Sequence, residues 1–188
     1  MSAPLFAEWE PAVMRLAARF AAIAALLFAA HLISYFVPVV RDAMLRTSPA
    51  VAIALAALAI AQHAVVFPVA AALPAPAWAR SAAYAWLIGD IASDIMQLAG
   101  SPVSQYLTLR LFVNVLAAIW IMVTSWSAPL AMRIVGIFVA VDLISYSLTA
   151  PFSKLAFLVA VPSLVFLPIW FALVARRLTA LAELPSAA

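Results

Sequence analysis

Residues 155–175 read LAFLVAVPSLVFLPIWFALVA, a run without a single charged side chain. A helix of about 20 apolar residues, rising about 1.5 Å at each, crosses the hydrocarbon core of a bilayer. This run meets that requirement, and Lys154 before it and Arg176 and Arg177 after it stand where interfacial anchors belong. Lys154 follows Pro151 at a helix end, which suits a snorkelling anchor better than a retinal-binding lysine.

Working outward, five further apolar runs appear at 20–40, 50–73, 80–99, 107–126 and 129–150. They are separated where helices end: Arg41 to Pro49, Leu73 to Pro76, Gly100 to Pro102, Ser125 to Pro129 and Ala150 to Ser153. Proline fits a first helical turn and disrupts an interior. The short connections predict antiparallel neighbours. Composition agrees, since 69% of the 188 residues are hydrophobic and 9% charged, against about 45–50% and about 25% in a soluble domain. So few polar groups cannot coat a soluble globule. The expected fold class is therefore all-α: a polytopic integral membrane protein, one domain over residues 1–188, with six transmembrane helices arranged as three antiparallel hairpins. The run at 20–40 is too long for a leader's apolar segment and is read as a retained span.

With six spans both termini share a side. That side collects Arg15, Arg19, Arg80, Arg133, Arg176 and Arg177, against Arg41, Arg46, Arg110 and Lys154 on the other. The positive-inside rule then predicts a multi-pass protein of the cell (inner) membrane with both termini cytoplasmic. Trp9, Trp78, Trp126 and Trp170 fall near span ends, as an interfacial aromatic belt requires, whereas Trp86 and Trp120 lie deeper.

The composition also excludes several functions. A net charge of +3 with no basic run longer than Arg176-Arg177 is not the footprint of a nucleic-acid binder. The absence of cysteine excludes disulfides, thiolate metal sites and a cysteine nucleophile. There is no HExxH, GxSxG or glycine-rich phosphate loop. No enzymatic activity is expected, and no cofactor is assigned.

Charge inside the spans carries the functional reading, because each such residue costs about 2.5–3.5 kcal/mol on insertion scales and needs a partner, a water cavity or a task. Asp90 and Asp94 are one turn apart on one face of the third span, with Ser93 and Gln97 beside them. Arg110 and Asn114 share a face of the fourth, and the hairpin between brings Asp94 and Arg110 to similar depth. His31, Tyr35, Asp142 and Tyr146 fall at nearby levels in the first and fifth spans. The expected substrate-binding set is thus Asp90, Asp94, Asp142, Arg110, Asn114, His31, Tyr35 and Tyr146, a polar pocket toward the non-terminal face. Three carboxylates against one arginine call for a protonated carboxyl, a bound cation or a transported proton.

A degenerate repeat runs through the odd spans. His31-Leu32-Ile33-Ser34-Tyr35 parallels Asp142-Leu143-Ile144-Ser145-Tyr146 and Asp90-Ile91-Ala92-Ser93, while Val65-Val66-Phe67-Pro68 parallels Val165-Phe166-Leu167-Pro168. It hints at three related hairpins, as in transporter folds built from repeats. Small residues at Ala17, Ala21, Ala25 and Ala29, with Ala18 and Ala22 alongside, form a ridge suited to close helix approach. Only Gly89 and Gly136 lie inside spans, so Pro38, Pro68, Pro162 and Pro168 are left to supply kinks.

The six spans, the alanine ridge, cytoplasmic termini and outward polar residues are similar in outline to the substrate-binding subunits of energy-coupling-factor vitamin transporters. That resemblance is architectural, covers no diagnostic motif and implies no residue roles. Two functions are expected from the residues. The first is binding or transport of a small polar or cationic solute, or of protons. The alternative is a structural or accessory subunit of a larger photosynthetic or respiratory membrane complex, with lipid and other membrane subunits as partners. In that alternative His31 and His63, on consecutive spans, are candidate axial ligands of a tetrapyrrole.

Overall fold

A computed structural model describes residues 10–36, 49–153 and 157–183. Its helices are α1 (Pro11–Phe36), α2 (Pro49–Ala64), α3 (Phe67–Ala72), α4 (Ala77–Leu98), α5 (Val103–Trp126), α6 (Leu130–Thr149) and α7 (Phe157–Ala182). No strand occurs among the described residues. Five stretches are long and apolar enough to span a membrane: Pro11–Ile33, Ala50–Ala72, Val103–Trp126, Leu130–Thr149 and Leu158–Ala182. Between the second and third of these lies α4, whose 22 residues include Arg80, Asp90 and Asp94. The chain is a polytopic helical membrane protein.

Helix ends follow local chemistry. Pro11, Pro49 and the prolines before α4, α5 and α6 stand at first turns or N-caps, where a missing N–H costs nothing. Gly100, at φ 74°, ends α4 as Ser101 N–H donates back to the Met96 carbonyl at 3.0 Å, the closure that a left-handed residue permits. α1 begins about two turns before the expected start at residue 20, and α7 outlasts 175. Nothing in the sequence stops a helix there, and helices continue past the hydrocarbon boundary until something does.

The second rod is broken between α2 and α3 at Val65 and Val66. Pro68 has no N–H, and its ring crowds the carbonyl one turn earlier, at Ala64. α7 contains Pro162 and Pro168 and stays continuous.

The rods form a closed ring. Consecutive rods pack in antiparallel pairs, and α1 packs most extensively of all against α7. Ala17, Ala21 and Ala24 of α1 are fully buried, as are Phe171, Val174 and Leu178 of α7. The alanine ridge is thus real over Ala17, Ala18 and Ala21 but turns with the helix. Ala24 continues it, Ala22 is exposed, and Ala25 and Ala29 are half-buried. An α-helix advances 3.6 residues per turn, so a strict spacing of four drifts around it. Leu26 and Ile33 on α1, Phe112 on α5 and Ile134 on α6 remain exposed outside the ring, apolar surface compatible with lipid.

Trp78 and Trp126 are exposed near helix ends, as the aromatic belt requires; Trp9 lies outside the described residues. Trp170 does not belong to the belt. It is fully buried in mid-helix because α7 runs on to Ala182, and its Nε1 donates to Ser125 Oγ at 2.8 Å.

Inside the ring six aromatic side chains form a closed circuit. Phe28 contacts His63, His63 contacts Trp86, Trp86 contacts Trp120, Trp120 contacts Trp170, Trp170 contacts Phe171, and Phe171 returns to Phe28. Centroid separations run from 5.0 to 5.8 Å, in the range of favourable ring contacts.

Candidate functional site

A cavity of about 310 Å³ opens inside the ring, bordered by residues of α1, α2, α4, α5, α6 and α7. Its polar lining is His31, Gln62, His63, Asp90, Asp94, Arg110, Asn114, Tyr146 and Ser163; Phe28, Trp86, Leu143, Leu164 and Leu167 supply much of the apolar wall.

The charged centre is built from α4 and α5. Asp90 and Asp94 are each 5% exposed and Ser93 is fully buried, all on the face of α4 turned inward by their three- and four-residue spacing. Arg110 reaches across the hairpin. Its Nη2 donates to Asp94 Oδ1 and, at 2.8 Å, to Ser93 Oγ. Its Nε donates to Ser93 Oγ at 3.1 Å and stands 3.6 Å from Asp90 Oδ1. Ser93 passes its own proton to the Asp90 backbone carbonyl at 2.8 Å. The serine therefore fixes the guanidinium between the two carboxylates.

Asp90 is held on its other side by Trp86 Nε1, which donates to Oδ2 at 2.6 Å, and by His63 Nε2, 3.2 Å from the same oxygen. The other His63 nitrogen, Nδ1, lies 2.7 Å from the Ala59 carbonyl. A carbonyl only accepts, so Nδ1 carries hydrogen. Nε2 therefore faces Asp90 Oδ2, and the two form an ion pair when the imidazole is protonated.

Asp94 Oδ2, by contrast, is buried and meets no hydrogen-bond partner among the described residues. A carboxylate oxygen left in this way loses its hydration without return. Asp94 itself lines the cavity, and a donor placed there would meet its carboxyl group.

Of the expected site residues, Asp90, Asp94, Arg110, Asn114, His31 and Tyr146 line this one cavity. His31 Nδ1 is 2.9 Å from Gln62 Oε1. Asp142 is not among the lining residues. Its Oδ2 accepts the Ser163 backbone N–H at 2.8 Å, beside Pro162, and so joins α6 to α7. The Tyr35 side chain lies outside the described residues, as do Lys154, Pro38, Arg41 and Arg46. The sequence reading left out Gln62, Trp86 and Ser163 and treated His63 only as a tetrapyrrole ligand. The adjacent polar pair Gln62-His63 in an otherwise apolar run was the available signal.

The three polar positions that the sequence motif sets in parallel do different things. Asp90 joins the charged centre, His31 lines the cavity at Gln62, and Asp142 holds a backbone amide. Ser93 and Ser145 both return a hydrogen bond to their own helix, to the Asp90 and Val141 carbonyls.

Depth is ordered along the rods. Phe28 precedes His31 on α1, and Trp86 precedes Asp90 on α4; on the oppositely running α5 and α7, Trp120 follows Asn114 and Trp170 follows Leu167. In every case the aromatic residue is nearer the side of the termini. The circuit thus underlies the cavity, which extends the other way to Ala160 and Val161 in the first two turns of α7.

The site defines a class of protein in outline: a multi-pass helical membrane protein with a mainly apolar cavity, bordered by a charged cluster, within its bundle. Comparison with protein-family models, with curated proteins and with solved structures returns no match, and the site is accordingly read from its own geometry.

Proposed function

We propose that this protein binds, and carries across or within the membrane, a small solute with an apolar body and a hydrogen-bond-donating head, cationic or neutral. The observation that carries the reading is Asp94, which lines the cavity and holds one buried carboxyl oxygen without a partner among the described residues. A head group with N–H or O–H would donate to the Asp94 carboxyl group, with Asn114 and Tyr146 bordering the same space. A carboxylate head would meet Asp94 as a like charge. Phe28, Leu143, Leu164 and Leu167 suit an apolar body. At about 310 Å³ the space is at the small end of the about 300–1,000 Å³ usual for ligand sites.

The solute enters from the non-terminal face, the aromatic circuit closing the other side. Cytoplasmic termini in the cell membrane are supported by Arg133 and Arg177, which hold backbone carbonyls of Ala128 and Thr124 at the terminal end of the bundle, and by Arg110, whose charge is taken up inside. That leaves fewer interfacial cations on the other face.

The test uses three probes with one skeleton: benzylamine, benzyl alcohol and benzoate, each titrated against the purified protein in nanodiscs with thermal unfolding as the readout. The amine, or the alcohol, raises Tm of the wild type and not of Asp94→Asn, while benzoate has no effect. Equal shifts for all three, or a shift that survives Asp94→Asn, would overturn the reading. The accessory-subunit reading leaves Asp94 Oδ2 without a purpose, and its tetrapyrrole version is opposed by His63, both of whose ring nitrogens are engaged. Stoichiometric partner chains after gentle extraction would restore it.

A further inference from the structure

A second, more open groove of about 600 Å³ lies at the terminal end of the bundle, between the first turns of α1 and the last turns of α7. It is separate from the solute site and shares no residue with it. We propose that this groove binds the phosphodiester headgroup of an anionic phospholipid.

Three arginines converge there. Arg15 and Arg19 stand one turn apart on α1, and Arg176 comes from the antiparallel α7. Like charges at that helical spacing repel, and the single acid in the lining is Glu183. None of the three makes an ion pair or hydrogen bond to any described residue. Their neighbours at the same end behave differently: Arg133 donates to the Ala128 carbonyl at 3.2 Å and Arg177 to the Thr124 carbonyl at 3.0 Å. Those two guanidiniums finish helix ends. The other three surround an open space.

The chemistry of the occupant follows. Guanidiniums match phosphate oxygens with paired N–H donors and suit phosphate better than a point charge does. The groove sits toward the ends of two candidate spans, and basic pockets between helices near the membrane surface take anionic headgroups. Its floor is Ala18, 6% exposed, so no large side chain fills it. Immediately beside it Leu16 and Ile23 present bare apolar surface on α1, where acyl chains would lie. A phosphate attached to acyl chains satisfies both features, which a free phosphate does not.

The proposal is tested by native mass spectrometry of delipidated protein titrated with phosphatidylglycerol and with phosphatidylcholine of identical chains. Phosphatidylglycerol is expected to be retained at least tenfold more strongly. Arg19→Gln and Arg176→Gln should each reduce that preference several-fold, and Arg15→Gln/Arg19→Gln/Arg176→Gln should abolish it, whereas Arg133→Gln should leave it unchanged. Glu183→Gln removes the competing carboxylate and should tighten phosphatidylglycerol retention, a gain that misfolding cannot mimic. Three results would overturn the proposal: equal retention of the two lipids by the wild type, a preference indifferent to the arginine substitutions, or displacement of the lipid by millimolar inorganic phosphate.

Discussion

His63 donates its Nδ1 proton to the Ala59 carbonyl, and the protonation of the cluster depends on that bond. With Nδ1 occupied, Nε2 is the nitrogen that faces Asp90 Oδ2. Nitrogen-15 NMR of the imidazole should therefore show protonated Nδ1 in the wild type. In Asp90→Asn the ring should be neutral and still protonated at Nδ1; a proton found on Nε2 alone would refute the assignment. Arg110 is the counterweight. Arg110→Leu leaves Asp94 buried without its cation, a loss that reaches about 3–5 kcal/mol for a fully buried pair and less here because Arg110 is 30% exposed. Unfolding in mixed micelles should show Arg110→Leu clearly destabilised and Arg110→Leu/Asp94→Asn largely recovered. Asp90, Asp94 and Arg110 were legible in the sequence because a charge within an apolar run stands out at once. The partnership of His63 and Trp86 with Asp90 was not, since it depends on which faces of α2 and α4 meet.

At the level of the helices, both glycines inside rods mark close approach and not hinges. A Cβ on Gly89 would run into the Val113 side chain of α5, and one on Gly136 would run into Ser125 and the Trp170 indole. Gly89→Ala should cost about 1–3 kcal/mol through overpacking, and Val113→Ala in the same chain should return part of it. A Gly89→Ala variant as stable as the wild type would rule out this close approach of α4 and α5. The break between α2 and α3 was foreseeable from Pro68, but its consequence was not: His63 lies in the last turn before it, so the helix that brings His63 to Asp90 ends just beyond that contact.

For the molecule as a whole, the closing contact is that of α1 with α7, far apart in sequence and antiparallel in space. The chain has no cysteine, so a pair introduced at Ala22 and Ala175, both lining the terminal groove, can be probed cleanly. A short bifunctional maleimide should link them within one chain, and failure to do so would open the ring. The sequence alone determined that the chain lives in a bilayer, roughly where it crosses, and which charges are too costly to be idle, because hydrophobic length and insertion cost are properties of contiguous residues. It could not determine which faces turn inward. Lipid and protein interior are equally apolar, so a membrane helix carries little of the polar-to-apolar periodicity that marks the buried side of a soluble one. The gathering of His63, Asp90, Asp94 and Arg110 around one cavity, the diversion of Asp142 to a backbone amide and the aromatic circuit beneath were decided by packing of the rods, through contacts no local stretch encodes.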